Sequence, residues 1–373
     1  MELTTIELRP RLQSCNIFVC LLGIADSSSI QVKLYKDYVT LRVNRNVYNL
    51  LLGSVRIIPT SLSSLRVAGS WVSFRIQTSP SDSLYGSFVT ELVGTSSLKS
   101  DNCFSSSSIE LPPKNADLIF SCSCCENPVT KLINLKKILP LPNNDCDPAD
   151  FFCCSHNGEN YTKLLEPRVC DYFYAPYFAV LSKENFDERL KINNESVVCN
   201  RCLTVIGTPN SNFSLKIWNC CMEYTKTNGD STTVQKRSNP LADFKAAVKS
   251  CCSDAFTNNR ILLEARERGS THYLLLKPME WNLDLLVEPC EIEDSRAINL
   301  SRKKVVKVLY NYGETKTSLK SECEDAKLLK IGSKCMLAGI EHLLLSSKRI
   351  PPIYRNANED HIGYMSLDIS DKL

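Results

Sequence analysis

Apolar and polar residues alternate through Ile30-Gln-Val-Lys-Leu-Tyr and again through Tyr38-Val-Thr-Leu-Arg-Val, the period of a half-buried strand. Residues 71–77 repeat the pattern, with Val72, Phe74 and Ile76 on one side. Residues 15–25 are apolar but far too short to cross a bilayer, and they read as a buried strand. Clusters of Asn, Asp, Ser and Gly punctuate these runs. Residues 1–95 therefore predict a twisted antiparallel sheet or sandwich.

Beyond this region the pattern changes. Residues 95–114 are Ser-rich and predict a long surface loop. Asp117-Leu-Ile-Phe-Ser is a short strand that feeds into Cys122 and Cys125, and Ser196-Val-Val leads in the same way into Cys199 and Cys202. Tyr177-Phe-Ala-Val-Leu, between them, has the character of a core strand. Residues 226–240 are polar and contain Asn228-Gly229-Asp230, which predicts a loop or flexible tongue. Asn239-Pro240 then opens a helix whose apolar face is Leu241, Phe244, Ala247, Val248 and Cys251. Strands are expected at 260–265, 273–276, 283–287 and 305–310. A last helix is expected over 336–345, and an irregular tail after Lys348. The fold class is α+β: a β-rich N-terminal domain (1–116) packed on a mixed C-terminal section (226–373), joined through a Cys-rich middle (117–225).

Composition narrows the chemistry. With 373 residues the chain exceeds the usual single core, so two domains or lobes are expected. Its net charge of +3, with no Lys/Arg tract beyond Arg302-Lys303-Lys304, predicts no direct nucleic-acid partner. No membrane association is expected either. Nineteen cysteines are an odd count, and several stand as adjacent pairs whose Cα atoms, about 3.8 Å apart, are too close for ordinary disulfides. The start Met-Glu-Leu-Thr-Thr lacks the basic and apolar regions of a secretory leader. Reduced thiols, in the cytoplasm and nucleus, are the expectation. Phosphate-binding glycine loops, His-Glu-x-x-His and Gly-x-Ser-x-Gly are all absent, and four histidines leave little for a His-based catalytic centre.

The cysteines carry the remaining signal. Two thiolates three positions apart sit on one tight knuckle and grip a tetrahedral ion at about 2.3 Å. Cys122, Cys125, Cys199 and Cys202 are the expected set for one structural zinc. Cys154 and His156 are substitutes or members of a neighbouring site, and Cys124 and Cys153 are competing ligands. The alternative is that the cysteines pack as small apolar residues. Cys335 is a separate candidate. It opens the last helix beside Lys334, where the helix terminus and an ammonium would both lower the thiol pKa and suit an acyl carrier. A buried helix cysteine is the other reading.

The order of these motifs resembles the HECT-like ubiquitin-protein ligases of the divergent type. The landmarks are Cys122-Ser-Cys-Cys125, Leu139-Pro-Leu-Pro142, Phe152-Cys-Cys-Ser-His156, Cys170 before Phe178-Ala-Val-Leu, Cys199-Asn-Arg-Cys202, Val306-Lys-Val-Leu-Tyr310 and the Leu-rich helix after Cys335. Together they span roughly 117–347. The resemblance implies a protein that accepts ubiquitin from a ubiquitin-conjugating enzyme and passes it to substrates, with Cys335 in the place of the thioester carrier. It also implies a second, non-catalytic role: binding the endonuclease subunit of the cleavage and polyadenylation factor and covering its active site as inhibitor or chaperone. Both readings stay open at this point.

Overall fold

The computed structural model describes residues 2–9, 12–23, 27–79, 110–141, 166–186, 188–228, 231–236, 239–251, 260–289, 297–315, 319 and 325–366. The chain divides into two compact units. One gathers Met1–Cys103, Lys277–Asn311 and His342–Leu373; the other gathers Phe104–Leu276 and Tyr312–Glu341. The fold is α+β and strongly β-rich.

A long sheet, most of whose residues belong to the first unit, runs Asn356–Ala357, Asp360–Met365, Ser301–Gly313, Ser270–Val287, Leu3–Arg9, Ser14–Cys20, Trp71–Gln77, Ser63–Ala68. A smaller sheet holds Ala297–Asn299, Asn46–Leu51, Tyr38–Val43 and Ile30–Leu34. The two share one apolar core. Ile6, Ile17, Val72 and Phe74 from the long sheet meet Val39, Leu41 and Leu50 from the small one. Alternation thus does what the sequence predicts, turning one face of each sheet inward. Trp71 and Ser73, on the opposite face of their strand, are buried as well.

Glu7 lies fully buried in this unit. Its carboxylate accepts hydrogen bonds from Lys307 at 2.6 Å, the Tyr364 hydroxyl at 2.7 Å, Arg9 at 3.0 Å and Asn16 at 3.1 Å. Burial alone would favour the neutral acid. The ammonium of Lys307 and the guanidinium of Arg9 outweigh it and hold the carboxyl at about 2.

The second unit contains a seven-stranded sheet ordered Lys137–Pro140, Asp171–Tyr174, Phe178–Ser182, Ser214–Trp218, Val205–Pro209, Val197–Cys199, Leu190–Ile192. Beside it in sequence is a four-stranded sheet of Ser231–Lys236, Met222–Asn228, Asp117–Cys122 and Ile133–Asn134. Helix α1 (Pro240–Lys249) starts as its sequence dictates, with the Asn239 side chain accepting from the Leu241 N–H at 2.9 Å and Pro240 in the first turn. Helix α2 (Ser333–Ser347) brings Gly339 against the Phe244 ring of α1, where a Cβ would stand only 2.2 Å from ring carbons.

Gly207 is just as confined. A Cβ there would lie 2.2 Å from the Lys216 carbonyl oxygen on the paired strand, and backbone cannot step aside as a side-chain tip can. Gly207→Ala is expected to cost at least about 2 kcal/mol, read as a shift of the urea midpoint at unchanged slope.

Three expectations need correction. The described residues of 226–240 are no tongue: Met222–Asn228 and Ser231–Lys236 pair antiparallel, with Asn228 opposite Ser231. The two strands expected at 273–276 and 283–287 are one, Ser270–Val287. Pro278 falls between the stretch paired with Ile261–Glu267 and that paired with Leu3–Arg9, so on that edge its missing N–H interrupts neither pairing. Finally, the segment after Lys348 is not an irregular strap. Asp360–Met365 joins the long sheet antiparallel to Ser301–Gly313, with Val306 opposite Met365 and Tyr310 opposite His361. The expected loop at 95–114 lies largely outside the described residues.

Candidate metal centre

Each Cys-x-x-Cys pair closes one tight turn at the end of a strand, and the two turns are built alike. After Asp117–Cys122 the chain reverses so that the Cys122 N–H donates to the Asn127 carbonyl at 2.9 Å and the Glu126 N–H donates to the Cys122 carbonyl at 2.8 Å. After Val197–Cys199 the Cys199 N–H donates to the Thr204 carbonyl at 2.9 Å, and the Leu203 N–H to the Cys199 carbonyl at 2.9 Å. The residue after the second cysteine takes a left-handed backbone in both, at φ 59° for Glu126 and 61° for Leu203. Neither is glycine, so each turn bears some local strain. Arg201 ties the turns together, donating to the Cys125 carbonyl at 3.2 Å.

The result is a single cluster. The sulfurs of Cys122, Cys125, Cys199 and Cys202 all lie within 4.8 Å of one another. Cys122 and Cys202 are 3.7 Å apart, as are Cys125 and Cys199. The edge of a tetrahedron of sulfurs bonded to an ion at about 2.3 Å is about 3.8 Å, so the four thiols fit a metal ion. Burial pushes the Cys122 and Cys125 thiols up. At Cys202 burial acts in the same sense, but the hydroxyl and N–H of Thr204 outweigh it and bring the thiol down to about 6. Four thiolates this close repel one another; a dication would remove that repulsion and draw off their protons. All four corners are protein sulfur, which leaves no position for a reacting water.

Of the residues singled out in the sequence, these four are brought together. Cys124 is exposed and lies outside the cluster, which holds Cys125 instead. Cys153, Cys154 and His156 lie outside the described residues. Missed in the sequence are the polar residues two places after each pair, Asn127 and Thr204, whose carbonyls close the turns. Their shared spacing is a signal that could have found them.

Cys335 is held quite differently. It sits in the first turn of α2 and is only 1 % exposed. Burial raises its thiol well above the usual range, and the nearby Asp243 and Cys221 add to the effect. The expected lowering is therefore reversed. Lys334 does not act on the sulfur: its ammonium donates to the carbonyl and hydroxyl of Ser123, both at 3.1 Å.

A family model described as HECT-like Ubiquitin-conjugating enzyme (E2)-binding matches residues 7–362. The chain belongs to that family. Two curated proteins, both E3 ubiquitin-protein ligases, are similar to this HECT-like chain. The one from Mus musculus is 23 % identical over 309 residues, covering 80 % of this chain and 74 % of the mouse protein. The one from Rattus norvegicus is 24 % identical over 220 residues, covering 57 % of this chain and 53 % of the rat protein. No solved structure matches. The family match is the one the order of cysteine motifs implies. It carries nothing about the cleavage and polyadenylation endonuclease. Among the described residues of this HECT-like chain, no helix is long and apolar enough to cross a membrane.

Proposed function

We propose that this chain works in the ubiquitin pathway as a HECT-like protein that binds a ubiquitin-loaded conjugating enzyme, on a scaffold stapled by one structural zinc at Cys122, Cys125, Cys199 and Cys202. The family match across nearly the whole chain carries the first part of this reading. Four sulfur donors with tetrahedral spacing support zinc.

The burial of Cys335 supports direct transfer over a thioester relay. A thioester relay would need its thiolate to attack the ubiquitin thioester carbonyl while the conjugating enzyme's sulfur leaves. That demands an ionised sulfur and a carbonyl brought within about 3.5 Å of it. Cys335 is enclosed, and its burial favours the neutral thiol, so this conformation serves neither demand. Ubiquitin then passes directly from the bound conjugating enzyme to a lysine. A discharge assay with a ubiquitin-loaded conjugating enzyme tests this. Lysine discharge is expected to speed up equally with wild-type chain and with Cys335→Ala, without a reducible adduct on the chain. An adduct that disappears in Cys335→Ala would establish the relay instead, and no binding at all would refute the reading.

A further inference from the structure

The first knuckle is fastened to the neighbourhood of Cys335 as well as to its own metal position. Ser123, the residue after Cys122, is where the contacts meet. Its N–H donates to the Cys221 carbonyl at 3.0 Å and its hydroxyl to the Cys220 carbonyl at 2.8 Å. Its carbonyl and hydroxyl both receive the Lys334 ammonium. Lys334 precedes Cys335 in the first turn of α2, so the grip on one fixes the place of the other. Below them, Asp243 of α1 accepts from the Cys220 N–H at 2.8 Å. Gly332, at the mouth of α2, lies so close that a Cβ would be 3.1 Å from the Cys221 sulfur and 3.5 Å from that of Cys220. The start of α2 is thus pressed onto the Cys220-Cys221 turn and pinned there by one lysine.

We propose that the metal-bound first knuckle is a latch on Cys335, keeping this thiol shut in through Ser123 and Lys334. Lys334 is a positioning residue in this device, and releasing it lets the first turn of α2 lift and turns Cys335 into an accessible thiol. The inference rests on the zinc assignment above and adds regulation to it: Cys335 becomes available as a nucleophile only when the latch opens. An opening of this kind is local, involving one helical turn and few hydrogen bonds.

The test is timed alkylation of the intact chain with iodoacetamide, read peptide by peptide by mass spectrometry in zinc-containing buffer, with zinc content measured on each sample. Cys124, exposed, and Cys15, buried in the other unit, serve as references. Lys334→Met is expected to keep its zinc and to label at Cys335 at least about tenfold faster than wild type. Ser123→Ala, which leaves the carbonyl for Lys334, should fall between the two. Removing zinc with a chelator, which unfolds the unit holding the knuckles and Cys335, supplies the fully accessible labelling rate against which Lys334→Met is scaled, while Cys15 stays protected. Lys334→Met protein in which Cys335 labels as slowly as in wild type overturns the latch, and so does labelling that rises at Cys335 and Cys15 together. No conjugating enzyme is present, so a failure here leaves the discharge reading untouched, and a failed discharge assay leaves the latch untouched.

Discussion

Cys199→Ala is expected to strip the chain of its metal and to unfold the unit built around the four sulfurs. A structural zinc site of this kind contributes on the order of 10 kcal/mol, as much as the whole stability of a typical domain, about 5–15 kcal/mol. The remaining three sulfurs cannot close the tetrahedron, and the two knuckles lose what holds them together. Metal analysis should fall from one zinc per chain to none. Hydrogen exchange should show protection lost in Asp117–Cys122 and Val197–Cys199 and retained in Leu3–Arg9 of the other unit. Cys124→Ala provides the contrast: that thiol is exposed and outside the cluster, so stability should change by less than about 0.5 kcal/mol. A Cys199→Ala protein that retains zinc, or melts with the wild type, would remove the site from the chain's stability altogether.

Glu7→Gln should be the most damaging single change in the other unit. It leaves Lys307 buried with no anion, and breaking a buried pair from one side costs about 3–5 kcal/mol. The same carboxylate makes stability depend on pH. Its folded pKa of about 2 lies below the ordinary value of 4.5, so the unfolded chain binds the extra proton between those values. The stabilisation is complete above about pH 4.5 and is lost as pH falls toward 2, a span worth about 3 kcal/mol. Urea titrations at pH 7 and pH 3 check both statements: the wild type should weaken between them, and Glu7→Gln should lack that part of the slope. Replacing both partners, Glu7→Met with Lys307→Met, should recover much of the loss, because no charge is then left unpaired. Equal stability of Glu7→Gln and wild type at pH 7 would refute the assignment.

Local chemistry was readable along the chain, and tertiary context was not. The strands Ile30–Leu34 and Tyr38–Val43 announce themselves because one face is wet and the other buried, so polarity alternates with the backbone. The helix at Pro240 is announced by its cap. The four clustered cysteines were readable because each pair needs only a spacing of three. What misled was chemistry whose meaning depends on neighbours far away in sequence. Lys334 beside Cys335 looks like an activating ammonium until Ser123, some two hundred residues earlier, takes it. Glu7 and Lys307 carry no local signal of their role, and only pairing across 300 positions makes them core residues. Ser270–Val287 reads as two strands because the sequence does not show that one strand changes partners part-way along.

The first unit is assembled from three separated stretches, the last of which supplies Tyr364 to the carboxylate of Glu7. On the ribosome, Leu3–Arg9 must therefore wait for residues beyond 360 before its sheet can be completed, whereas the inner stretch enclosing both knuckles can fold once the residues near 341 have emerged. A nascent chain stalled short of Asp360 would carry an unfinished β-edge and a buried carboxylate lacking the Tyr364 hydrogen bond, an exposed edge of the kind that invites aggregation and capture by chaperones.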